Sequence, residues 1–224
     1  MKASFLKAVS PDVLAGASVS SKLMASVYDI QVLMVEIPFI FKCPLSTMKN
    51  FYTQHLSGNH LEVGVGTGYF PDKCPFPVDK PTLHLMDLNG EYLGMSAQRV
   101  GRYDPISHQC DVLEPVEGEF PTFDSIGAMN LLHCLPGSFG KKSALVRNLK
   151  PFLAPGGVFF GATVLGQGGR AGPLARLANG LYNRLSIFSN GEDSPRGLEW
   201  MIRENFSSGA VEVVGGYGFF WGRV

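Results

Sequence analysis

The stretch HLEVGVGTGYF, residues 60–70, restricts this chain more than any other. Gly64, Gly66 and Gly68 alternate with other residues directly after the apolar Leu61 and Val63. Glycine inside a strand or helix costs backbone entropy. Three together therefore mark a backbone that turns sharply or lets something approach closely. An apolar run ending in such a turn is how a strand passes into the next helix of an α/β sheet. The spacing is G-x-G-x-G, not the G-x-G-x-x-G of dinucleotide folds. Glu62 stands two residues before the first glycine. A carboxylate is poor company for a pyrophosphate but suits a cationic ligand such as an α-ammonium group. A plain tight turn is the alternative use of the same glycines.

The rest of the chain supplies the partners of that first strand. TLHLMDL, ISHQCDV, FDSIGAMN and GGVFFGATVLG read as four further strands. NGEYLGMSAQRVGRY, with Asn89 as cap, and GSFGKKSALVRNLKPFL, with Ser138 near its start, read as helices between them. Four prolines between residues 71 and 81 leave room for only a short helix there. GPLARLANGLYNRLSIF reads as an extra helix, and SPRGLEWMIRENF as another, with Ser194 as cap and Pro195 at its first position. AVEVVGGYGFFWGRV reads as two strands joined at Gly215-Gly216, a link so short that they must be antiparallel. The first sixty residues read as amphipathic helix broken by Pro38 and Pro44, ending at Ser57-Gly58. Alternating strands and helices imply a mainly parallel sheet with helices on both faces. Ligands of such sheets bind beyond the carboxyl ends of the strands.

Composition narrows the partners. The 224 residues suit one domain or a domain with a small appendage, and 45% apolar residues can fill a sizeable core. Net charge is zero, so no nucleic-acid partner is expected. Cys43, Cys74, Cys110 and Cys134 are far apart and form no CxxC pair, so a zinc site is not expected. They read as reduced, mostly core thiols of a cytoplasmic protein. The opening residues lack a sustained apolar region, so no signal peptide is expected. The run from Ile30 to Phe41 contains Gln31, Glu36 and Pro38 and is too short to span a bilayer.

Two more acids fall at strand ends. Asp87 closes the second strand nineteen residues after Gly68, where an acid accepts hydrogen bonds from ribose hydroxyls. A helix-start acid is its alternative reading. Asp111 closes the third, where an acid can meet an adenine amino group; a solvated loop acid is the alternative.

With LEVGVGTGYF, LMDLN, CDV, FDSIGAMNLLHCLPGS and LKPFLAPGGVFFGATVLG in this order, the chain resembles the class I S-adenosylmethionine-dependent methyltransferases from about residue 60 onward. The resemblance implies a Rossmann-like, doubly wound α/β fold with a C-terminal antiparallel strand pair. It implies a helical lid over residues 1–58, with the main domain over 59–224 and a helical insert at about 170–190. It implies S-adenosyl-L-methionine as cofactor: Gly64, Gly66 and Gly68 around its methionine part, Glu62 at its ammonium, Asp87 and Leu88 at the ribose, Asp111 and Val112 at the adenine. Tyr28, in the lid, would close over the cofactor.

Chemistry is expected in NLLHCLP, after the fourth strand. Asn130, expected to touch both cofactor and acceptor, stands where amino-directed members carry N-P-P-[YF], and the prolines and aromatic are missing here. That puts amino-group chemistry in doubt without excluding it. His133 is the candidate base, with a histidine packed under the lid as the alternative; Cys134 reads as core. Tyr28, Tyr182, Asn183 and Phe188 are candidates for the substrate pocket, with ordinary helix packing the favoured alternative for any one of them. The expected function is methyl transfer to a small, apolar molecule through oxygen or nitrogen. The alternative is a protein of the same fold that transfers no methyl group, acting as a cyclase, an isomerase, or a binding or regulatory module.

Overall fold

The computed structural model of the chain describes residues 36–116 and 120–224. Residues 36–40 make one wide π-type turn, closed by Phe41 N–H donating to the Glu36 carbonyl at 2.9 Å. Then follow α1 (Leu45–His55), β1 (Asn59–Val63), the short α2 (Tyr69–Lys73), β2 (Thr82–Asp87), α3 (Gly90–Arg99), β3 (Ile106–Gln109) and β4 (Phe123–Met129). A 3₁₀ turn at Leu132–Cys134 leads to α4 (Phe139–Leu149), β5 (Leu153–Val164), α5 (Pro173–Arg184), α6 (Pro195–Asn205), β6 (Ser208–Val214) and β7 (Tyr217–Arg223).

The seven strands form one sheet in the order β3-β2-β1-β4-β5-β7-β6. Strands β1 to β5 pair in parallel, whereas β7 runs antiparallel to both β5 and β6. The strand order reverses between β1 and β4, so the crevice for a ligand opens there. The fold is the mainly parallel α/β sheet with a C-terminal antiparallel pair that the sequence implied.

Caps and apolar periodicity account for the helices. Asn89 accepts the Glu91 N–H at 2.9 Å and starts α3, and Ser194 accepts the Gly197 N–H at 3.3 Å and starts α6. On one face of the sheet, Leu145, Val146 and Leu149 of α4 pack with Leu198, Met201 and Ile202 of α6 against Leu61, Ile126 and Phe159. On the other, Ile37, Phe41, and Met48 and Tyr52 of α1 pack against Phe160, Ala162 and Phe219. A strand covered on both faces reads as a continuous apolar run, which is how VFFGATV appears.

Three details differ from expectation. β5 begins at Leu153, before the glycine pair, and β3 stops at Gln109, before Cys110. Cys43 and Cys74 are buried as expected, but Cys134 is exposed on its turn. On α5, Leu174, Leu177 and Leu181, followed by Leu185, form an exposed stripe. No helix of the described residues is long and apolar enough to cross a membrane.

Candidate active site

The carboxyl ends of β1, β2 and β4 meet at the crevice, and the glycine loop joins them. Gly64, Gly66 and Gly68 all have left-handed backbones, with φ of 68°, 49° and 74°. They are glycine for different reasons. A β-carbon on Gly64 would meet Leu131 Cδ1 at 2.7 Å, and one on Gly68 would meet Ser96 Oγ at 2.5 Å. One on Gly66 would meet nothing within 4 Å. Two of the glycines let the loop pack on the protein, and the third faces open space. Arg99 holds the loop from below, donating to the Thr67 carbonyl at 3.2 Å and to Asp72 at 3.1 Å.

Asp87 is brought to this loop. Its carboxylate accepts the Asn89 N–H at 2.9 Å, and backbone N–H groups of Gly66, Val65 and Leu88 also stabilise its charge. Burial outweighs them and raises its pKa. Leu88 is partly buried beside it, its carbonyl accepting from Gln109. Asp111 is partly buried and caps its own turn, accepting the Leu113 N–H at 2.9 Å, while Val112 is buried. Asn130 follows β4 with a left-handed φ of 57°, and its N–H donates to the Ala162 carbonyl at 2.8 Å. Its Oδ1 is buried without a hydrogen-bond partner, an acceptor left to be satisfied.

Glu62 is buried on β1 at 2% exposure, so its charge requires internal partners. Tyr52 Oη donates to its Oε2 at 2.7 Å, and His60 Nε2 lies 2.9 Å from the same oxygen. Tyr52 and His60 were not singled out from the sequence. The signal for His60 was available: in H-x-E on a strand, both side chains share one face.

His133 has a setting unlike that of the base expected. It is buried, and its Nδ1 accepts the Val164 N–H at 3.3 Å, so the neutral ring carries its proton on Nε2. Burial, aided by the nearby Lys142 charge, lowers its pKa to about 3. The ring of Phe188 packs edge-on against it at 4.5 Å, and Tyr182 packs on Phe188 at 4.9 Å. The segment after α5 is tied over this turn: Ser189 N–H donates to the His133 carbonyl at 2.7 Å. Lys142, fully buried, donates to the Ser189 carbonyl at 2.8 Å and to Asp193 at 2.6 Å. Asn183 and Asn179 bond to the buried Asn190 at 2.7 and 3.2 Å. Tyr28 lies outside the described residues.

A groove of about 690 Å³ lined by Arg147, Lys150, Pro155, Glu204 and Asn205 lies at the opposite end of β5 and contains none of these groups.

Residues 61–159 match the family model described as a methyltransferase domain. The chain is 35% identical to demethylluteothin O-methyltransferase of Streptomyces thioluteus, over 88% of this chain and 86% of that one. It is 37% identical to methyltransferase verB of Penicillium polonicum, over 84% and 89% of the two chains. Among solved structures, the DhpI–SAH complex shares the fold with a TM-score of 0.62 at 16% identity, covering 95% of this chain and 97% of that one.

Proposed function

The chain belongs to the class I S-adenosylmethionine-dependent methyltransferases, and on that premise we propose that it methylates an oxygen or nitrogen of a small, apolar molecule of specialised metabolism. S-adenosyl-L-methionine is the cofactor. The strand-end residues suit it: open space at Gly66, the orphaned acceptor Oδ1 of Asn130, and two carboxylates, Glu62 and Asp87, for a ligand with an ammonium and two ribose hydroxyls. In this reading the loop of Gly64, Gly66 and Gly68 holds the amino-acid part, Asp87 with Leu88 the ribose, and Asp111 with Val112 the adenine. Tyr28 remains a proposed lid residue.

Bound there, the cofactor supplies a methyl group already activated on a sulfonium. The chain's own task is therefore to hold the acceptor in line and exclude water. Alignment alone is worth up to about 7–11 kcal/mol, whereas a general base adds about two to four powers of ten. His133 is neutral, with Nδ1 already engaged by Val164. We assign it to shaping the loop, not to taking a proton. Asn130 Oδ1 is the polar atom we assign to the acceptor's O–H or N–H or to the cofactor. The His133–Phe188–Tyr182 cluster supports an apolar acceptor. The name of the S. thioluteus relative supports oxygen as the accepting atom.

The observation that carries the reading is the open left-handed Gly66 beside Asp87. The test is incubation with methyl-labelled cofactor and a panel of small phenols and amines, followed by product mass. A labelled product heavier by one methyl group is expected. Products isomeric with their substrates, or a protein that binds the cofactor and labels none of them, would sink it in favour of a non-transferring relative.

A further inference from the structure

The acid that precedes the glycine loop sits inside a buried hydrogen-bonded chain. Tyr52 Oη donates to Glu62 Oε2 at 2.7 Å. Burial, then the Glu62 charge, raises the Tyr52 pKa well above its ordinary value, so its hydroxyl keeps its proton and remains a donor. His60 Nε2 stands 2.9 Å from the same Oε2, and a carboxylate partner places the proton on that nitrogen. His60 Nδ1 lies 2.7 Å from Ser125 Oγ on β4, which in turn accepts the Ser57 N–H at 3.0 Å. The carboxylate is thereby wired to α1, to its own strand and to β4. Both described hydrogen bonds fall on one oxygen.

Gly127 completes the arrangement. It pairs with Glu62 across β1 and β4. A β-carbon there would stand 2.8 Å from Glu62 Oε2 and 3.0 Å from His60 Cε1. The strand is bare at this place because the carboxylate and imidazole occupy the space.

We propose that Tyr52 and His60 are positioning residues for amino-acid recognition: by fixing Oε2 of Glu62 they hold Oε1 toward the α-ammonium of the ligand. The inference rests on the cofactor placement proposed above. A glutamate side chain left to itself samples several rotamers, and ordering it on binding costs affinity. Here the order exists beforehand, provided by a phenol and an imidazole that need not touch the ligand.

The test compares two nucleosides by titration calorimetry on the full chain. S-adenosylhomocysteine carries the amino-acid part; 5′-methylthioadenosine keeps adenine, ribose and thioether and lacks it. Tyr52→Phe keeps the ring that stacks on Phe70 at 5.3 Å and removes only the donor. It should weaken S-adenosylhomocysteine by about tenfold or more, the scale of one hydrogen bond to a charged group, and change 5′-methylthioadenosine less than twofold. His60→Gln should act in the same direction and serves if Tyr52→Phe does not fold. In a Glu62→Gln background, Tyr52→Phe should have no further selective effect, because the residue it acts through has lost its charge. Equal loss on both nucleosides, or no loss in a folded variant, overturns the positioning role alone. A wild-type chain that binds neither nucleoside overturns the placement and this inference with it.

Discussion

Gly66 and Gly68 lie two residues apart in one loop and share a left-handed backbone, yet they answer to different demands. A β-carbon at Gly66 meets nothing within 4 Å, so alanine there carries only the cost of a left-handed L-residue, about 1–2 kcal/mol. At Gly68 the same substitution also drives a β-carbon to 2.5 Å from Ser96 Oγ and 3.1 Å from the Ser96 Cα. Gly66→Ala should therefore lower Tm by only about 4 °C while reducing S-adenosylhomocysteine affinity at least about tenfold. Gly68→Ala should lower Tm further. Thermal melting and calorimetry on both variants check this, and equal melting losses would show that Gly66 is buttressed as tightly as Gly68. The acid-and-glycine pattern was legible in the sequence because it rests on backbone geometry and local spacing. The setting of His133 was not. Its low pKa comes from burial, to which the Phe188 ring 55 residues on contributes, and from the Lys142 charge 9 residues on.

The helices and strands were legible wherever a cap or an apolar period marks them. Asn89 and Ser194 both cap as expected, and Gly215-Gly216 turns β6 into β7. What the sequence did not show is how the segment after α5 is fastened. Its anchor is the pair Lys142–Asp193, from α4 and a loop 51 residues on. Both side chains are fully buried, and burial lifts the Asp193 carboxyl to about 6 while lowering the Lys142 pKa. Removing one partner leaves the other charged and alone. Lys142→Met should cost about 3–5 kcal/mol in denaturant unfolding, and the double variant Lys142→Met/Asp193→Leu should recover much of it. A double variant no more stable than the single one would mean that the pair's hydrogen bonds, not its uncompensated charge, dominate. Distant pairs of this kind leave no local signal, because an isolated Lys or Asp in a polar segment reads as solvent-facing.

Across the whole molecule, acid stability follows from the histidines. Folding holds His133 near a pKa of about 3, whereas the unfolded chain takes up its proton near the ordinary 6.5. Between those values the unfolded state binds the extra proton, so stability falls as pH drops from 6.5 toward 3, by up to about 1.4 kcal/mol per pH unit. His84 and His108, lowered by burial and 2.8 Å apart, add in the same direction. Asp193 opposes them, since its raised folded pKa lets the native state take the proton first between 3.8 and about 6. Urea unfolding from pH 7 to 4 should show the decline, and His133→Asn should reduce its slope by about one proton's worth; an unchanged slope would place the proton uptake elsewhere. The order of the strands also sets a timetable. β5 has 12 residues and a largely buried face, and its outer neighbour β7 lies 59 residues later, counting from Val164 to Arg223. At about 5–20 residues per second, a growing chain waits roughly 3–12 s between the two. Throughout that interval the outer edge of β5 carries unpaired backbone N–H and C=O groups, a template for pairing with another chain, and neighbouring nascent copies carry the same edge.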